Sequence, residues 1–205
     1  MNRNRRRGAR RLPVLGLAGL AAVLSLAGCG SRAPAKSHAS AGTLVSAAVT
    51  LQRQGNANAA RRLLHQALAK APHNYFAHYD LGYLEQLAGQ DSAALTQYRA
   101  ALAAKPHYGP ALYNEATIYA VKDLARAIAL YREVLRAQPH LASAWFNLGL
   151  AELLTHKREL GLRALAIALH QSPALGRRLT KKELAAVGQF SQANPGASRD
   201  YRAAL

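Results

Sequence analysis

One cysteine, one tryptophan and one methionine in 205 residues leave little room for several kinds of chemistry. A single cysteine excludes an internal disulfide framework and any Cys-rich zinc or iron–sulfur site. Acids are scarce: 10 Asp+Glu stand against 27 Lys+Arg, a formal net charge of +17. No two carboxylates share a helix spacing that would face one cleft. The chain contains no HExxH, GxSxG, P-loop or GxGxxG. These absences argue against a catalytic role, a metal and a cofactor. Half of the residues are hydrophobic, too many for a disordered polyelectrolyte. The length fits one domain or at most two.

The charge is unevenly spread. Residues 1–11 hold Arg3, Arg5, Arg6, Arg7, Arg10 and Arg11 and no acid, and Leu12 to Ala27 then runs for 16 residues without a charge. A basic head, a short apolar stretch and small residues at its end form a secretory signal. Sixteen residues, interrupted by Pro13, fall short of the roughly 20 that a spanning helix needs. Removing residues 1–28 takes six arginines from the 27 Lys+Arg and leaves 21 against the same 10 acids, so much of the net charge is targeting signal.

The segment ends Leu26-Ala27-Gly28-Cys29. This resembles the bacterial lipoprotein box. The resemblance implies a diacylglycerol on the Cys29 thiol, cleavage before it, and an exported protein held on the membrane by acyl chains. Two or three chains anchor stably, whereas one alone is marginal. Gly30 rather than an aspartate follows the cysteine, which in a two-membrane cell implies the periplasmic face of the outer membrane. A plain signal peptide with an incidental cysteine, a retained anchor and twin-arginine export are the alternatives. Residues 29–41 are small and polar and read as the lipidated cysteine and a flexible tether.

The rest of the chain is periodic. Pro72, Pro106, Pro139 and Pro173 recur at spacings of 34, 33 and 34, each after an Ala/Leu-rich helical stretch. A fixed period of this size marks a solenoid, and proline closes the helix before it. Ala94, Tyr98, Ala101 and Pro106 recur as Ala127, Tyr131 and Pro139, while Trp145, Leu148, Gly149 and Ala168 mark the last unit. This looks like the tetratricopeptide repeat, a unit of two antiparallel helices. The expected fold is all-α: a right-handed α-solenoid of four helix-turn-helix units over 42–74, 75–107, 108–140 and 141–173. Each unit buries its apolar face only against neighbours. Thr180 and Glu183 form a capping box that opens a helix near 181–191, giving a capping segment over 174–191. Residues 192–205 read as a tail with at most one further short helix.

Four departures from the family pattern stand out. The third unit replaces the inter-helix glycine with Val121-Lys122-Asp123. Glu115 occupies an apolar leucine position, where a carboxylate is costly unless paired. Glu85 and Glu152 take a tyrosine position, and Gly161 takes an alanine position. Irregular packing is therefore expected in the third unit.

The resemblance also implies that the first helix of each unit lines a concave groove. The groove positions are Tyr79, Asp80 and Tyr83, then Tyr113, Asn114 and Thr117, then Phe146, Asn147 and Leu150. Aromatic rings with polar tips and a row of Asp80, Asn114 and Asn147 suit an extended peptide or a helix. The same residues could equally complete internal packing. Arg61, Arg62, Arg99, Arg126, Arg132, Arg136 and Arg163 fall on second helices, the outer side, and Arg177, Arg178, Lys181 and Lys182 cluster near the cap. His73, His107 and His140 follow the prolines as a repeated surface position too widely spaced for one metal. The expected function is a lipid-anchored, non-catalytic scaffold that binds another protein. The rival is binding of anionic envelope polymer or lipid by the basic outer face. Self-association is a further possibility, and nucleic acid is excluded by the compartment.

Overall fold

The computed structural model describes residues 39–197, 199 and 201. Cys29, the leader before it and most of the tether lie outside the described residues. The array consists of α1 (Ala41–Arg53), α2 (Ala57–Lys70), α3 (Tyr75–Leu87), α4 (Asp91–Ala104), α5 (Gly109–Lys122), α6 (Leu124–Ala137), α7 (Ala142–Leu154) and α8 (Arg158–Gln171). A 3-10 turn over Pro173–Arg178 leads to α9 (Lys181–Ala193). All regular secondary structure among the described residues is helical.

Local chemistry sets the helix ends. Ser40, Asn56, Asn74, Asp123 and Thr180 each accept a backbone N–H of the first turn. This satisfies a donor that the helix itself leaves unpaired. Thr180 and Glu183 complete the capping box, and the Glu183 carboxyl is lowered by its bonds to Thr180. Each repeat proline stands two residues past its helix. The residue before it (Ala71, Lys105, Gln138 or Ser172) is pushed out of the helical region to φ of −134 to −145°.

Consecutive helices pair as hairpins, and each second helix packs on the next first helix. Small residues permit the close approach. Ala60, Ala67, Ala94, Ala101, Ala127, Ala164 and Ala168 are fully buried. The gap between hairpins is filled at one recurring position by Leu64, Tyr98, Tyr131 and Leu165, all buried. Another recurring position ties unit to unit. Trp145 donates its indole N–H to the Pro139 carbonyl at 2.8 Å, and His78 donates a ring N–H to the Pro72 carbonyl at 2.9 Å.

The third unit is not irregular. α5 and α6 pack as extensively as α1 and α2. In the first two units the inter-helix turn uses Gly55 and Gly89 in the left-handed region, at φ of 79° and 73°. Here Asp123 both ends α5 and caps α6 at φ −154°. The turn is a single residue in place of three, and it needs no left-handed residue. Gly161 faces Gly149 across the α7–α8 hairpin. A β-carbon on either would sit 2.8–2.9 Å from the other's carbonyl oxygen.

Candidate interaction groove

The odd-numbered helices touch one another along the array: α1 meets α3, α3 meets α5, and α5 meets α7. They form the inner layer, and the expected groove positions lie on them.

Two of the polar positions there are built into a recurring triad. Asn114 donates Nδ2–H to the Tyr98 hydroxyl at 3.2 Å and also bonds Tyr79. The Tyr79 and Tyr98 rings lie 6.0 Å apart. One unit on, Asn147 donates to the Tyr113 hydroxyl at 3.0 Å and also bonds Tyr131, and those rings lie 5.9 Å apart. Burial pushes the Tyr98 and Tyr131 phenols well up, so both remain neutral donors. The Tyr98 hydroxyl donates on to Gln86 at 2.7 Å, Gln86 donates to the Thr117 hydroxyl at 3.1 Å, and Thr117 donates to the Asn114 carbonyl at 2.8 Å. The amides of Asn114 and Asn147, and the Thr117 hydroxyl, therefore bind within the protein.

Asp80 holds the equivalent position in the second unit and has no such partners. The phenols that flank the asparagines are replaced there by Val45 and Leu64. Among the described residues, no hydrogen bond or ion pair reaches its carboxylate. Burial alone raises Asp80 to about 6. A cleft of about 520 Å³ opens beside it, lined by Val45, Arg53, Phe76, Tyr79 and Tyr108 among others. The Tyr108 ring stands edge-on to Tyr79 at 5.4 Å and to Phe76 at 5.9 Å. Burial, then the charges of Tyr79 and Asp80, push the Tyr108 phenol to about 12.

A second concave cleft, of about 350 Å³, is lined by Thr117, Leu124, Tyr131, Asn147, Leu150 and Leu154 with Arg178. Of the nine expected groove residues, Tyr79 and Asp80 thus line one cleft, and Thr117, Asn147 and Leu150 line the other. Tyr83, Tyr113 and Asn114 are half-buried on the same helices. Phe146 is corrected. It is fully buried, with the Arg178 guanidinium 4.6 Å above its ring. The 3-10 turn lays Arg178 over it, which also moves that arginine from the expected basic cluster to the concave side.

The outer arginines are largely consumed by carboxylates. Glu115 is 3% exposed and lies 3.3 Å from Arg99 and 3.5 Å from Arg126. Glu152 is fully buried and accepts from Arg132 at 2.7 Å and from the Tyr201 hydroxyl. Arg163 pairs with Glu159 one turn away. A register underlies this pattern. His65, Arg99 and Arg132 are equivalent positions on second helices, and Glu85, Tyr119 and Glu152 are equivalent on the following first helices. Arg99 donates to the Tyr119 hydroxyl, and Glu85, raised by burial, is drawn back down by Arg61 and His65. Glu85 and Glu152, two of the acids that depart from the family pattern, thus stand at one recurring position of a polar rung between units.

Sequence reasoning missed two features. Phe76 and Tyr108, which wall the first cleft, flank the proline turns rather than the groove positions of the pattern. Leu87, Val121 and Leu154 form a row at one repeat position and are 66, 89 and 66% exposed. Their spacing of 34 and 33 was the signal that could have found them.

Solved structures similar to the chain include a MamA crystal structure (TM-score 0.61, 21% identity, covering 68% of this chain and 82% of that one). MamA 41-end from Desulfovibrio magneticus RS-1 gives 0.61 at 20% identity over 78% and 96%. YrrB, described as a TPR protein with an unusual peptide-binding site, gives 0.58 at 19% over 74% and 75%. At these identities the likeness establishes the fold. A search of curated proteins returned no match. The tetratricopeptide-repeat profile matches residues 45–109 and 119–174, more than half of the sequence, and the chain therefore belongs to the tetratricopeptide repeat family.

Proposed function

We propose that the protein is a non-catalytic scaffold that holds a segment of another protein in its concave groove, and that a lipid on Cys29 tethers it to the membrane outside the cytoplasm. One observation carries the choice of face. The concave side presents two clefts with aromatic and apolar walls, whereas at least four of the seven outer arginines are already paired with the protein's own carboxylates. Paired and partly buried cations have less charge to offer an anionic surface. That YrrB is described as having a peptide-binding site supports a protein ligand for this fold. The sequence Leu26-Ala27-Gly28-Cys29 supports the anchor.

Photocrosslinking in intact cells tests the groove. A photoreactive residue at Ser46 or Leu150, both lining clefts, is compared with one at the exposed outer Arg62. Capture of one discrete protein from the groove positions alone is expected. Capture from Arg62 alone would overturn the reading. Metabolic labelling with an alkyne fatty acid tests the anchor, and the label should vanish in Cys29→Ser.

A further inference from the structure

We propose that the first cleft is a pocket for a cationic side chain of the bound segment, an arginine above all, with the Asp80 carboxylate at its base and the rings of Phe76, Tyr79 and Tyr108 as its walls. The inference rests on the groove reading and adds the chemistry of the ligand.

The argument is one of interrupted symmetry. The row Asp80, Asn114, Asn147 repeats along the inner layer. At its second and third members a neutral amide is bonded to two phenols. At the first member the phenols are missing and the amide is a carboxylate. Val45 and Leu64 can donate nothing to it. Val45, which stands where the later units have Tyr79 and Tyr113, lines the cleft of about 520 Å³. A carboxylate kept half-buried without a partner costs free energy in the unbound protein. A ligand that brings a donor and a positive charge removes that cost on binding.

The walls choose among donors. Three aromatic rings meet there, at 5.4 and 5.9 Å between centroids. Ring faces attract cations, and a planar guanidinium both stacks on them and bonds a carboxylate. An anionic or purely apolar ligand would leave Asp80 buried and unpaired. Lys105, over the Tyr75 ring at 4.5 Å and the Tyr108 ring at 5.4 Å, shows that one of the wall rings already holds a cation. Arg53 is the cation that lines the cleft itself. It is exposed and makes no ion pair with Asp80.

The test is a titration of the full-length protein carrying fluorotyrosine, followed by fluorine NMR. The probes are Nα-acetyl-arginine methylamide and its neutral isostere, Nα-acetyl-citrulline methylamide. The arginine compound should perturb Tyr79 and Tyr108, with a Kd on the order of millimolar. The citrulline compound should bind about fivefold more weakly, the size of one partly exposed ion pair. Asp80→Asn should abolish that preference, and Arg53→Gln should strengthen arginine binding by removing a like charge. Equal binding of the two probes, or an arginine preference that survives Asp80→Asn, would overturn the pocket. The crosslinking from Leu150 separates this from the groove reading. Capture at Leu150 without arginine preference would leave the groove standing and sink the pocket. Arginine preference without any capture would refute the segment-binding role assigned to it.

Discussion

The isolated carboxylate makes a testable claim on stability. In the unfolded chain Asp80 titrates near its ordinary 3.8, and in the folded protein near about 6. An acid whose folded pKa is raised binds its proton more tightly in the native state. Stability contributed by that proton is present below pH 4 and is lost as pH rises through 6. By linkage the full loss at neutral pH would be about 3 kcal/mol. Asp80 keeps partial contact with water, and solvent screening reduces the figure to about 1 kcal/mol. The charged and titratable groups facing it are Arg53 across the cleft and the phenols of Tyr79 and Tyr108. Both phenols are raised and stay neutral between pH 4.5 and 7.5. Asp80→Asn should therefore stabilise the protein by about 1 kcal/mol at pH 7.5 and by only about a third of that at pH 4.5. Paired urea titrations at the two pH values measure this. A gain that is the same at both, or a loss at pH 7.5, would refute the account of Asp80 as an unpaired, desolvated acid. The variant should be more stable while discriminating less between arginine and citrulline, since the same charge causes both effects.

Other expectations follow from packing. Arg132→Met strands the fully buried Glu152 carboxylate, whose Oε2 already meets no donor among the described residues. The loss should be about 3 kcal/mol by urea unfolding. Adding Glu152→Leu should recover most of it, and failure to recover would show that Arg132 acts through packing alone. Gly149→Ala places a β-carbon 2.8 Å from Leu165 Cγ and 2.9 Å from the Gly161 carbonyl. Backbone cannot move aside cheaply there, so a loss of about 1–3 kcal/mol is expected in the same assay.

The periodic features of the fold were legible in the sequence because the repeat writes them several times. The prolines, the buried alanines and the large residue at Tyr98 and Tyr131 each recur at a spacing that only a stacked array explains. Features that depend on a neighbouring unit were not legible. Phe146 reads as a groove residue because it shares a repeat position with Tyr79 and Tyr113, which stay half-buried. It is buried because the chain after the array folds Arg178 over it, and no repeat unit encodes that contact. Asp80 reads as one of three similar polar residues. It differs because of Val45 and Leu64, one unit earlier, and only the stacked array brings those positions to it. Tyr201 is a further example. It closes over Trp145 at 5.6 Å and bonds Glu152, although it lies in a stretch that reads as a tail.

Glu115 offers the sharpest contrast between pattern and context, and a test of the basic-face rival. At a leucine position, a lone carboxylate would destabilise the third unit. Arg99 and Arg126 reach it from the second helices on either side, and Arg126 also lies 4.3 Å over the Tyr119 ring. Replacing a buried ion pair by an apolar side chain of similar size is often neutral or stabilising, whereas stranding the acid is not. Glu115→Leu should thus leave stability unchanged or raise it by about 1 kcal/mol, because the half-exposed guanidinium groups return to water. Arg99→Ala with Arg126→Ala should cost about 3 kcal/mol. The same pair of variants reports on charge. If internal pairing is what keeps the outer face from engaging anions, Glu115→Leu frees two cations and should strengthen sedimentation with phosphatidylglycerol vesicles at low salt, an effect that should fade by 0.5 M salt. If vesicle binding is already strong before the substitution and unchanged by it, the arginines are not restrained by Glu115, and the outer face would regain its claim as a binding surface.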